Sequence, residues 1–239
     1  MNKRVVKYIG KLYSDFPTKF GVPRQSGLVP SLESRIIMEP EYRNPQAFLG
    51  IEEYSHLWLL WDFSMVEQKK GFTATVCPPR LGGKEKRGVF ATRSPFRPNP
   101  IGLSCVKLER LERTKEYGTV LYVSGADLMD QTPILDIKPY LPYTDSHPEA
   151  LGGFGEAHKE DGIEVDFPEE LLQRIPVEKR EGLLDVLKQD PRAAFQKQPG
   201  NVYGMGFGEY DIRFETNESG QLVVCGVEER LSEGFKKVK

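Results

Sequence analysis

LSCVKLERLERTKEYGTVLYVSGAD, residues 103–127, holds two runs whose apolar side chains recur at roughly every second position. Alternation sends successive side chains to opposite faces of a pleated strand, so Leu103–Arg110 and Thr119–Asp127 read as half-buried β-strands. TKEYG at 114–118 supplies the turn between them. A lone hairpin leaves its apolar face uncovered and needs more strands. SHLWLLWDF at 55–63 is a buried strand by length and Trp/Leu content. Arg4–Gly10, Phe72–Val76 and Gly88–Thr92 read as shorter strands. Asn44 before Pro45 and QAFLGI reads as a helix start, with Asn as cap and Pro in first position. Many short strands with Gly/Pro-rich connectors predict a barrel or a sandwich.

The texture changes past residue 143. TDSHPEALGGFGEAHKEDG, 144–162, is polar and Gly-rich and reads as a linker. Helical segments are expected at Pro168–Ile175 and Val177–Gln189, the second with an apolar stripe through Leu183, Leu184 and Leu187. Strands are expected at Glu209–Glu215 and Leu222–Glu228. The division is thus a mostly β first domain over 1–145, a linker over 146–165, and a small α+β domain over 166–239.

Composition excludes several classes. Hydrophobic residues make up 38% of the 239, enough for a core, while a mean hydropathy of −0.47 predicts solubility. No apolar run approaches the roughly 18–20 residues of a membrane span. The opening MNKRVVKYIGKLYSDF has no long apolar region, so no secretion signal is expected. Cys77, Cys105 and Cys225 form no CxxC pair, and the histidines are three and scattered. A reducing cytoplasm without a bound metal is the expectation. GMGFGEY at 204–210 lacks the strand–turn–helix context of a nucleotide-binding glycine loop, and the residues after it alternate as a strand does.

Between two apolar runs stands ATRSPFRPNPIGLS, 91–104. Its three prolines rule out a helix and fix the backbone, so Arg93, Arg97 and Asn99 lose little entropy on ordering. From Arg80 to Arg97, six basic residues face the single acid Glu85, on a chain whose net charge is −2. A local basic patch on an acidic protein fits a localised anionic partner or a solvated loop. DLMDQTPILDIKPYLPY, 127–143, is the second unusual stretch. On a strand, Asp136 and Lys138 share one face, as a surface ion pair or as a small polar site.

Taken together, GVFATRSPFRPNPIGLS and DQTPILDIKPYLPY resemble the signature of the TrmO-type (TsaA-like) S-adenosylmethionine-dependent tRNA methyltransferases. FGVPRQSGLV, SHLWLL and PPRLGG match that family in order, so the resemblance spans Tyr8 to Tyr143. DPRAAFQ and YDIRF resemble the extra C-terminal domain of its bacterial members. One departure is Gln131, where the family pattern has Gly. Gln calls for an ordinary φ where Gly permits a positive one, which puts the local backbone in question.

The resemblance implies a small non-Rossmann β-barrel that binds S-adenosylmethionine, a homodimer with cofactor sites near the subunit interface, and the tRNA anticodon stem-loop as partner. The implied reaction is methyl transfer to N6 of N6-threonylcarbamoyladenosine, 3′ of the anticodon. Cofactor contacts carried over are Arg24, Gln25, Arg93, Leu103, Asp130, Gln131, Thr132 and Pro133. Arg24 and Arg93 are candidates for the cofactor carboxylate; Leu103 and Pro133 are candidates to flank adenine, Leu103 equally a core residue. Asp136 is assigned as general base or its orienter. Lys138 would polarise the carbamoyl oxygen or hold the threonyl carboxylate, and Tyr140 or Tyr143 would complete the pocket. Arg80, Lys84, Lys86, Arg87 and Arg97 are the expected RNA contacts. A non-enzymatic RNA-binding barrel, and a methyltransferase with another acceptor, are the competing readings.

Overall fold

The computed structural model describes residues 4–66, 71–78, 83, 85–156, 162–192 and 200–230. Six antiparallel strands close a barrel in the order β1-β2-β7-β6-β3-β8. They are β1 (Gly10–Tyr13), β2 (Glu33–Met38), β3 (His56–Asp62), β6 (Ile101–Thr114), β7 (Gly118–Ser124) and β8 (Thr132–Pro139). Closure removes the free edges that would invite pairing with other chains. The hairpin read at 103–127 is β6–β7, with Thr114 paired to Gly118 across the turn. Inward side chains Leu12, Ile36, Leu57, Leu59, Trp61, Val106, Leu121, Val123 and Ile134 fill the interior. Each contributes on the order of 1.5–3 kcal/mol by leaving water.

Gly102 has a packing reason. A Cβ built on it would overlap the Trp61 ring, which sits across from it in the β3–β6 pair. The expected strand at Arg4–Gly10 is corrected: β1 begins at Gly10, just after Ile9 makes the first backbone bonds to the barrel, and Val5 is 91% exposed. β2 is a strand that the sequence pattern does not announce. The helix start expected at Asn44–Pro45 is a 3-10 turn, Pro45–Phe48, in which Asn44 Oδ1 accepts from Gln46 N–H. Phe72–Val76 and Gly88–Thr92 shrink to the two-residue strands β4 (Thr75–Val76) and β5 (Arg87–Gly88), the latter followed by a 3-10 turn.

Beyond β8 come the short helices α1 (Pro142–Asp145) and α2 (Gly153–Glu156). The second core lies between α3 (Glu169–Leu172), α4 (Val177–Lys188) and a sheet ordered β10-β11-β12-β9. These strands are β9 (Val165–Asp166), β10 (Tyr203–Phe207), β11 (Tyr210–Thr216) and β12 (Leu222–Glu229). The GMGFGEY stretch is the β10–β11 hairpin, a strand and turn. Phe207, Ile212, Phe214, Leu183, Leu187 and Leu222 form this core, and Phe16, Val29 and Leu32 from the connection between β1 and β2 are buried in it. That connection therefore belongs to both halves of the molecule.

Candidate active site

The segment Arg24–Gly27 fills the fork where β6 begins and β7 ends. Gly27 N–H donates to the Gly125 carbonyl at 2.8 Å, and Cys105 N–H donates to Ser26 Oγ at 3.2 Å. Gly27 and Gly125 both take positive φ, 81° and 75°, and a Cβ on Gly125 would reach within 3.3 Å of the Gly27 backbone. Arg93, from the Pro-rich loop, donates to Gln25 Oε1. Arg97 folds its guanidinium back onto the Thr92 carbonyl at 3.0 Å, which stiffens that loop from within.

These segments border an open cleft of about 1420 Å³. Arg24, Gln25, Lys86, Arg93 and Arg97 line it together with the rings of Phe72, Phe90 and Phe96. Phe72 and Phe90 lie nearly parallel, 6.3 Å between centroids at 26°, and are 63% and 72% exposed. Two large apolar rings held in water beside four cations are a surface suited to flat, anionic or zwitterionic molecules.

Beside the cleft is a buried polar chain to which the sequence alone assigns no role. Trp61 Nε1–H donates to Ser104 Oγ at 3.0 Å, and Ser104 donates to the Asp127 carboxylate. Burial pushes the Asp127 carboxyl above its ordinary value, against the pull of Ser104, of backbone N–H groups including that of Ser26, and of the Arg93 charge. Asp127, three residues past the end of β7, carries no signature by itself. Only the folded chain brings Ser26 and Arg93 to it.

Leu103, Asp136 and Lys138 do not line the cleft. Leu60 of β3 pairs with Leu103 on one side and Asp136 on the other; Trp58 pairs with Lys138. Paired residues share a face, so these side chains occupy the outer surface of β6-β3-β8. Lys138 Nζ sits 2.9 Å from Asp136 Oδ2, and Asp136 Oδ1 accepts the Ile137 N–H at 3.0 Å. Leu103 is 54% exposed, so it is not core. Tyr140 stacks at a tilt on Trp58, 5.6 Å away, whereas Tyr143 is 87% exposed on α1.

Asp130–Pro133 lie where β8 opens. Asp130 Oδ1 accepts Ser14 N–H at 3.2 Å, and Thr132 and Pro133 pair with Leu12 and Lys11. Gln131 takes φ 62°, so the backbone keeps the left-handed turn that Gly would permit. This corrects the expectation that Gln imposes an ordinary φ; the tight turn between Met129 and Thr132 overrides the side chain's preference. Thr132 Oγ1 donates to the Met129 carbonyl at 2.7 Å and closes that turn. Arg80 and Lys84 lie outside the described residues, and Arg87 is paired with Glu85.

Comparison with known proteins gives two family matches. The tRNA-methyltransferase O N-terminal domain matches residues 11–146, and the TrmO C-terminal domain matches residues 160–230. The chain belongs to the TrmO family. It is 39% identical over 220 residues to the tRNA (adenine(37)-N6)-methyltransferase of Escherichia coli, covering 89% of this chain and 93% of that one. It is 40% identical over 217 residues to RcsF of Pseudomonas aeruginosa, whose name describes an S-adenosylmethionine-dependent methyltransferase; 87% of this chain and 91% of that one are covered. The crystal structure of TrmO from P. aeruginosa superposes with a TM-score of 0.77 at 33% identity, over 96% of this chain and 98% of that one. Among the described residues no helix is long and apolar enough to cross a membrane, and no cluster of metal-ligating side chains occurs.

Proposed function

We propose that this chain transfers a methyl group from S-adenosylmethionine to N6 of N6-threonylcarbamoyladenosine, the nucleoside 3′ of the tRNA anticodon. The observation that carries the reading is the cleft. Arg24, Gln25 and Arg93 converge beside exposed phenylalanine rings, in a family whose relatives include a tRNA (adenine(37)-N6)-methyltransferase. The residues fit the cofactor. Its carboxylate suits the forks of Arg24 and Arg93, and its adenine suits the apolar rings. At about 1420 Å³ the cleft exceeds the usual ~300–1,000 Å³ of a single small-molecule site, so a nucleoside fits alongside. When bound, the cofactor supplies an electrophilic methyl group on a sulfonium.

The remaining chemistry falls to side chains. The acceptor N6 belongs to a ureido group, so it needs a proton acceptor. Asp136 takes that proton or orients the group that does. Lys138, 2.9 Å away, pairs with Asp136 and engages the carbamoyl oxygen or threonyl carboxylate. Asp130–Pro133 and Leu103 complete the cofactor contacts. Leu103 and Ile101, 54% and 43% exposed on the face that carries Asp136, support a homodimer in which a second copy covers that face and joins it to a cleft.

Lys86, Arg87 and Arg97, with Arg80 and Lys84, meet the phosphates of the anticodon loop. Residues 146–165 link a catalytic barrel over 1–145 to a C-terminal domain over 166–239. A tRNA substrate places the work in the cytoplasm, in keeping with free Cys77, Cys105 and Cys225. The test is transfer of label from methyl-labelled S-adenosylmethionine into tRNA from cells lacking this protein. Incorporation is expected; its absence with folded, cofactor-binding protein contradicts the reading.

A further inference from the structure

The four residues Arg24–Gly27 are each held, but not all by the barrel. Gln25, Ser26 and Gly27 are tied to Arg93, Cys105 and Gly125. Arg24 instead sends Nη2 across to the backbone carbonyl of Asp190, 2.9 Å away and 166 residues on in the chain. Asp190 is one of two non-glycine residues at positive φ among the described residues, at 49°. Such a backbone persists only where its surroundings over-determine it.

Here the over-determination is visible. Arg192 grips the Asp190 carboxylate with two prongs, Nε at 2.7 Å and Nη2 at 3.1 Å. Its third nitrogen donates to Thr216 on β11. The two side chains are 4% and 7% exposed, so this is a buried, bidentate pair that fixes where the Asp190 carbonyl points.

The chain on both sides of Arg24 is pinned to the same half. Phe16 precedes it and Val29 and Leu32 come after it, all three buried in the C-terminal core. The Asp15 carbonyl accepts Gly208 N–H at 2.7 Å, and its carboxylate pairs with Lys179 of α4. Leu32 packs so tightly on α4 that a Cβ on Gly182 would overlap it.

We infer that the C-terminal half positions the Arg24 end of the cofactor site, with Asp190 and Arg192 as positioning residues that touch neither cofactor nor RNA. The inference rests on the reading of the cleft as the S-adenosylmethionine site. Asp190-Pro191-Arg192 is then a brace whose geometry is read out in cofactor affinity, whatever else this half does with tRNA.

The experiment measures S-adenosylmethionine binding by calorimetry for the full chain, Arg192→Ala, Arg192→Lys, and Val227→Ala. The last is a core variant on β12, remote from the turn in sequence, and serves as a control for lost stability. Arg192→Ala is expected to weaken binding about tenfold or more, since small misplacements of a positioning group are costly. Arg192→Lys keeps the cation but loses the fork, and falls between. Val227→Ala, with a comparable loss in Tm, binds as the natural chain does. Equal affinity of Arg192→Ala and the natural chain overturns the brace, as does equal weakening by Val227→Ala. Should Arg192→Ala fail to fold, Lys179→Met cuts the Asp15 tie at a half-exposed position. It is expected to weaken binding by a few-fold, and unchanged affinity overturns the brace. If the natural chain itself binds no S-adenosylmethionine, the reading of the cleft fails first, and the brace falls with it.

Discussion

Arg93 donates a hydrogen bond to Oε1 of Gln25, joining the Pro-rich loop to the segment wedged between β6 and β7. Neither residue is near the other in sequence, and each comes from a stretch kept in shape by prolines or glycines. The bond makes one rim of the cleft out of two loops. Arg93→Ala removes both the tie and a cation. A hydrogen bond to a charged group is worth about 1.5–3 kcal/mol, so S-adenosylmethionine affinity falls roughly 10- to 100-fold. Calorimetric titration checks it; an unchanged Kd contradicts the assignment.

Asp136 and Lys138 make an exposed ion pair whose stability value is small, at most about 1 kcal/mol. Asp136→Asn therefore leaves the unfolding midpoint near that of the natural chain. Under its proposed role as proton acceptor or its orienter, Asp136→Asn lowers turnover by about 10²–10⁴-fold at unchanged cofactor affinity. Single-turnover methylation beside cofactor titration separates the two quantities. Full turnover by Asp136→Asn removes it from the chemistry.

Gln131 occupies a left-handed position at φ 62°. A non-glycine residue there costs about 1–2 kcal/mol, and glycine gives back part of the gain through its freer unfolded chain. Gln131→Gly is expected to stabilise by roughly 0.5–1 kcal/mol, raising Tm by about 1–4 °C. Thermal unfolding checks it, and a fall in Tm would mean that the Gln131 side chain contributes more than its strain removes.

Asp127 has its carboxyl raised by burial from the ordinary 3.8. The folded chain thus holds a proton that the unfolded chain has released in the window above 3.8. The Asp127 contribution to stability therefore falls as pH rises through that window. Asp130, also raised by burial, acts with the same sign. Asp127→Asn keeps an acceptor for Ser104 but cannot ionise, so its stability profile lacks part of that fall. Denaturation midpoints of both chains from pH 3.8 to neutrality give the comparison; parallel profiles contradict it.

What is legible in the sequence depends on how local the information is. SHLWLLWDF, LSCVKLER and TVLYVSGAD show their strands because alternation or apolar density is local. ESRIIM hides its strand because its buried face comes from pairing with β1 and β7, partners distant in sequence. Arg4–Gly10 has strand composition, but backbone bonding to the barrel starts only at Ile9, whose N–H donates to the Ile134 carbonyl, and β1 proper at Gly10. In the site, Arg24, Gln25 and Arg93 are marked by the family motif, and the fold gathers them at one rim of the cleft. Asp127 and the Phe72–Phe90 pair carry no such mark, because their meaning arises only when loops converge. The Asp190–Arg192 turn is visible as DPRAAFQ, yet nothing in seven letters tells that its carbonyl reaches Arg24.

The most direct measurement is a nucleoside analysis. tRNA from cells lacking this protein is incubated with the purified chain and S-adenosylmethionine, digested to nucleosides, and resolved by mass spectrometry. The expected result is one added methyl on N6-threonylcarbamoyladenosine and on no other nucleoside, formed at least about 10²-fold more slowly by Asp136→Asn. Methylation of a different nucleoside, or tRNA binding without any methyl transfer, would contradict it.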